Sequence, residues 1–150
     1  FIFFCFLLLF NCSYTPILKD QNFNYYVNID SIEGDEVVNK ILTDNFNKLQ
    51  NKEYKLYNLE IITELSKTII SKNSEGDPET FEIALIVNYK VLNNEKILID
   101  KNITRKSTYD NIADKYELEQ NEKILIENLT KIIFDYMTLT ISDININNDN

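Results

Sequence analysis

Phe81, Ile83, Leu85, Val87, Tyr89 and Val91 place an apolar side chain at every second position, with Thr80, Glu82, Asn88 and Lys90 between them. A period of two is the signature of a strand with one buried face. The segment before it has the same period: Tyr57, Leu59, Ile61, Thr63 and Leu65 point one way, and Asn58, Glu60, Glu64 and Ser66 the other. Ile62 interrupts the polar side, and the segment runs on to Lys72. Between the two lies Asn73-Ser74-Glu75-Gly76-Asp77-Pro78, a dense set of turn formers. A long antiparallel hairpin is therefore expected. Asn93-Asn94 suits a second tight turn, because Asn tolerates the left-handed conformation. A further strand follows with Ile97, Ile99 and Ile103 as its apolar members, carrying Lys101, Arg105 and Lys106 toward Ser107-Thr108-Tyr109-Asp110-Asn111.

Upstream, Tyr25 to Ile32 reads as a strand, and Gly34-Asp35 offers a turn and a helix N-cap, with Glu36 where the helix dipole favours negative charge. Val38, Ile41, Leu42, Phe46 and Leu49 then recur at helical spacing. A second, longer helix is expected from residue 113 to about 140. Its apolar face holds Tyr116, Leu118, Leu125, Leu129, Ile132, Ile133 and Tyr136, and Glu117, Glu119, Glu122, Glu127 and Lys131 are left to water. The element order is β-α-β-β-β-α. The economical fold is α+β: one domain over residues 23–141, with a four-stranded, mostly antiparallel sheet and both helices on one face. Residues 142–150 are Asn-rich and read as a disordered tail.

The N-terminal end reads differently. An uninterrupted apolar run, Phe1 to Phe10, gives way at Cys12 to the polar Ser13-Tyr14-Thr15-Pro16. Ten apolar residues are too few for a membrane-spanning helix, which needs about 20. Residues 1–11 read as a signal peptide whose start lies further upstream, Cys12 as the lipid-attachment residue at the cleavage point, and residues 12–22 as a tether. Cys5 would leave with the signal and Cys12 would be blocked by lipid, so no thiol remains for a disulfide.

Composition narrows the chemistry. Histidine is absent, which removes the commonest general base and the best nitrogen ligand for metals. With only Gly34 and Gly76, neither a phosphate-cradling loop nor a dinucleotide fingerprint can be written. The acidic groups Glu33, Asp35, Glu36 and Glu75, Asp77, Glu79 fall at turns of a chain with 24 acids, and solvated turns account for them. No catalytic residue, cofactor or metal is expected, and the chain does not read as an enzyme. A net charge of −9 repels nucleic acid, so that partner is not expected either. Arg105, the only arginine, lies with Lys101 and Lys106 in a stretch with no acid between Asp100 and Asp110. This local positive patch reads equally as an anion site, since a guanidinium fork matches phosphate, or as a solubilising face.

Three segments carry a resemblance. Cys12-Ser13-Tyr14-Thr15-Pro16-Ile17-Leu18 resembles the start of mature proteins of the LptE lipopolysaccharide-assembly lipoprotein family. Thr80-Phe81-Glu82-Ile83 with Val87-Asn88-Tyr89-Lys90-Val91 is similar to that family's central strand. Arg105-Lys106-Ser107-Thr108-Tyr109-Asp110-Asn111, followed by Asn121-Glu122, is similar to its basic, Ser, aromatic, Asp-Asn signature. The resemblance implies an outer-membrane lipoprotein on the periplasmic face, held by N-terminal acyl chains. It would plug an LptD-type β-barrel and bind lipopolysaccharide. The positions falling where that family contacts lipopolysaccharide are Lys72, Arg105 and Lys106. Without the resemblance, the residues describe a lipid-tethered periplasmic binding or adhesion module.

Overall fold

The structure, a computed structural model, describes residues 25–49 and 55–148. Cys12, the expected signal peptide and the tether lie outside the described residues. Six elements follow in order: β1 (Tyr25–Gly34), α1 (Glu36–Lys48), β2 (Lys55–Lys72), β3 (Pro78–Asn93), β4 (Lys96–Asp110) and α2 (Lys115–Asn148). They form the expected α+β sandwich, with one sheet in the order β1-β2-β3-β4. β1 pairs parallel with β2, while β2–β3 and β3–β4 are antiparallel. α1 makes the parallel pair possible, because strands running the same way need a crossover and a helix supplies it.

The junction between β1 and α1 is tightly built. Asp35 Oδ1 caps α1, accepting from Val37 N at 3.1 Å and Val38 N at 3.0 Å. Thr63, buried in β2, accepts from Asp35 N at 2.9 Å through its hydroxyl, which also lies 2.7 Å from Asn39 Oδ1. One buried hydroxyl thus fixes where the helix starts over the sheet. At the other hairpin ends, Asn73 Oδ1 accepts from Glu75 N and Asp77 N. The β3–β4 turn is centred on Asn94 and Glu95, both at positive φ (48° and 67°), one residue beyond the Asn pair that the sequence suggests.

The core lies between the sheet and both helices. Tyr57, Leu59 and Ile61 of β2, Ile83, Leu85, Val87, Tyr89 and Val91 of β3, and Val38, Leu42 and Phe46 of α1 are all buried, as their spacing predicts. Phe46 meets Phe134 of α2 edge-on, with ring centroids 4.9 Å apart. The Tyr25 hydroxyl donates to the Thr138 carbonyl at 3.0 Å, and burial, opposed by a weaker hydrogen bond to Ser142, pushes its pKa up to about 12.

Three expectations are corrected. On α2 the buried face is Leu118, Leu129, Ile133, Phe134, Met137 and Ile141, whereas Tyr116, Ile132 and Tyr136 are 73%, 49% and 39% exposed. This helix has apolar residues on several sides, so periodicity admits more than one face and packing chooses. Ile97 is 50% exposed, because a register shift between Val91 and Leu92 inserts Leu98 and turns Ile97 off the core row. Finally, α2 continues to Asn148, past the point near 141 where the Asn-rich sequence suggests an end.

Candidate functional site

β4 is an edge strand, and its pleat divides the basic patch. Pairing with β3 sets Lys101, Ile103 and Arg105 opposite the buried Tyr89, Val87 and Leu85, so these three lie on the helix side of the sheet. Asn102, Thr104 and Lys106, opposite Asn88, Ile86 and Ala84, lie on the other side. Arg105 and Lys106 therefore face apart. Lys106 is engaged by Glu82, 2.9 Å away, and Arg105 donates to the neighbouring Thr104 carbonyl at 2.9 Å. Lys101 Nζ sits 5.5 Å from the centroid of the Tyr136 ring on α2. Lys72 is opposite Pro78 at the β2–β3 end, seven positions along β3 from the Leu85 that pairs with Arg105. At about 3.3 Å per residue this separation is roughly 23 Å. The three residues proposed from the resemblance do not converge on one site.

Sequence reasoning missed a cation that the fold ties to α2. Lys67 lies on the apolar row of β2, a position that its spacing from Leu65 reveals. Its Nζ is 2.5 Å from Glu122 of α2 and stacks 4.6 Å from the Phe81 ring and 5.5 Å from the Tyr109 ring. Tyr109 donates to the same carboxylate at 2.8 Å, and Phe81 and Tyr109 are stacked, with centroids 5.5 Å apart. Glu122, expected in water, is thus the tie between the N-terminal part of α2 and the far end of the sheet. Burial raises the pKa of Glu122, but hydrogen bonds from Lys67 and Tyr109 and the lysine charge outweigh it, and the net shift is downward. Burial lowers that of Lys67, and the bonds to Glu122 and Tyr109 reverse this to a net rise.

A depressed carboxylate contributes stability that is complete above its ordinary pKa of 4.5 and lost as pH falls through the folded value. A raised lysine contributes stability that is complete below 10.5 and lost as pH rises through its folded value. Glu122→Gln is therefore expected to flatten both limbs of the stability profile. Urea unfolding across a pH series checks this, and an unchanged acid limb would assign the acid loss to other carboxylates.

Beyond this tie the β2–β3 end runs past the helices, and Ile69 and Ile70 are 48% and 51% exposed there, with Lys72 beside them. The sheet face turned away from the helices carries the polar Asn28, Glu60, Glu64, Asn88, Asn102 and Lys106 together with the apolar Leu56, Ile62 and Ile97, each about half exposed. A depression of about 310 Å³ on it is lined by Ser31, Glu33, Glu60, Ile62, Asn88, Lys90 and Asp100, among other residues. No described helix is long and apolar enough to cross a membrane.

No protein-family model matches the chain, and no curated protein matches it in sequence. Solved structures do match in fold. Rare lipoprotein B from Shewanella oneidensis superposes with a TM-score of 0.60 at 13% identity, over 82% of this chain and 100% of that one. An uncharacterized lipoprotein B from Nitrosomonas europaea gives 0.60 at 12% identity, over 82% and 88%. A minor lipoprotein from Acinetobacter baumannii gives 0.57 at 12% identity, over 82% and 93%. With β-α-β-β-β-α order, a mixed four-stranded sheet and both helices on one side, this chain has the fold of these bacterial lipoproteins.

Proposed function

We propose that this protein is a lipid-anchored outer-membrane subunit of a lipopolysaccharide-export translocon, plugging an LptD-type β-barrel and contacting lipopolysaccharide on its way to the outer leaflet. The observation that carries this reading is the uncovered sheet face. A domain that encloses one side of its sheet with two helices and leaves the other open, polar residues there alternating with the exposed Leu56, Ile62 and Ile97, has a surface shaped for a second protein, and the lumen of an outer-membrane barrel offers polar partners for its Asn, Glu and Lys side chains. The fold shared with bacterial lipoproteins and the Cys12 motif support the same reading. Acylation of Cys12 would hold the domain at the membrane, since each buried methylene contributes about 0.8 kcal/mol and two chains already anchor stably.

Within this reading the cations act as separate contacts, because Lys72 sits at the projecting hairpin end and Arg105 and Lys106 on opposite faces of β4. Lys72, next to the exposed Ile69 and Ile70, pairs a charge for phosphate with apolar surface for acyl chains. The test is co-purification: tagged protein from its native envelope is expected to bring down a large outer-membrane barrel. Cys12→Ala is expected to abolish lipid labelling and to leave the domain folded. Absence of the barrel from the purified complex, together with unchanged surface lipopolysaccharide after depletion, would instead assign a lipid-tethered binding or adhesion module.

A further inference from the structure

We propose that the free edge of β4 is a docking site for an extended segment of another protein that carries acidic side chains at every fourth position with an apolar residue midway between them. Among the described residues β4 is the outermost strand on its side, and one row of its backbone N–H and C=O groups has no described strand beside it along 15 residues. The opposite edge, β1, is broken by a register shift at Asp30, which spoils regular pairing there. β4 also concentrates positive charge, with four cations against two carboxylates in a chain of net charge −9.

The helix-side row decides what kind of strand fits. Lys101 and Arg105 point inward at the edge, four residues apart, with Ile103 between them, and neither has a carboxylate partner among the described residues. Inward charges on an edge are a device against self-association. Antiparallel pairing of two copies centred on Ile103 would set Lys101 of each against Arg105 of the other, and like charges directly opposite are destabilising. A strand with acids at those two positions and an apolar residue opposite Ile103 turns both repulsions into attractions.

Such a strand would also find apolar cover. Ile132, Tyr136 and Leu139 recur at helical spacing along one flank of α2 and are 49%, 39% and 42% exposed. The contact between Lys101 and the Tyr136 ring shows that this flank overhangs β4. Main-chain bonds to the edge supply affinity and the alternate side chains supply selectivity, as in strand addition generally.

The site belongs to the domain itself, so its failure leaves the barrel reading standing, and failure of the barrel leaves this surface intact. Arg105 serves both readings but Lys101 only this one. The test uses the full-length protein and two synthetic peptides of about ten residues, the length of a typical strand. One repeats Glu-Thr-Val-Thr, and the other has the same residues in an order without that period. The repeating peptide is expected to slow hydrogen exchange of β4 amides about tenfold or more, and the other peptide to leave them unchanged. Lys101→Glu and, separately, Ile132→Asp, both at exposed positions, are expected to weaken that binding about tenfold while retaining the far-UV spectrum. Lys101→Glu should leave capture on lipopolysaccharide unchanged. No slowing in β4, slowing confined to β1, or equal binding by Lys101→Glu would overturn the proposal.

Discussion

Gly34→Ala is expected to cost at least about 3 kcal/mol and to leave little folded protein near physiological temperature. Gly34 closes β1 at φ +107°, a conformation that L side chains rarely adopt. A Cβ there would also stand 2.7 Å from the carbonyl carbon and 2.8 Å from the Oγ1 of Thr63. Neither neighbour can move cheaply, because Thr63 pairs with Gly34 in the β1–β2 ladder and its hydroxyl accepts from Asp35 N at the start of α1. The clash falls on the group that joins strand to helix. Gly76→Ala is the control: its φ is +91°, but nothing lies within 4 Å of the new Cβ, so only the backbone penalty of about 1 kcal/mol applies. Denaturant unfolding of both variants checks the contrast. Equal losses would show that backbone strain alone, without the contact to Thr63, governs the position.

Phe46→Ala is expected to lose about 3–5 kcal/mol, the usual cost of deleting a buried aromatic ring that its surroundings cannot refill. Phe46 is 1% exposed and meets Phe134 edge-on at 4.9 Å, so the substitution removes a ring contact between α1 and α2 as well as apolar burial. Both helices lean on this pair. Phe134→Leu should cost less, because a branched aliphatic side chain retains part of the volume. Thermal unfolding of the two variants measures the order, and a Phe46→Ala loss below about 1 kcal/mol would mean that the helices repack around the gap.

How much was readable in the amino-acid order differs from element to element. The β3 strand was legible because a central strand with one buried face must alternate, and its six apolar positions do so without a break. The start of α1 was legible because Asp35 followed by Glu36 satisfies free N–H groups and the helix dipole through local contacts. The face of α2 was not, because Ile124, Ile132, Tyr136 and Leu139 make it apolar on more than one side and only neighbouring elements select among them. For the candidate site, the basic stretch 101–106 was visible as charge. That Arg105 and Lys106 face opposite sides follows from the strand pleat alone, whereas the Lys67–Glu122 tie needed two residues 55 positions apart to meet.

The order of strands and helices, the α+β class and the positions of the main turns came from local chemistry: periodicity, capping and the left-handed tolerance of Asn and Gly act within a few residues and leave their mark in the chain. The parallel placement of β1 beside β2, the choice of the buried face of α2, and the meeting of Lys67 with Phe81, Tyr109 and Glu122 were decided only by the tertiary structure. Each depends on which distant surfaces exclude water from one another, and that choice is made by the packed whole.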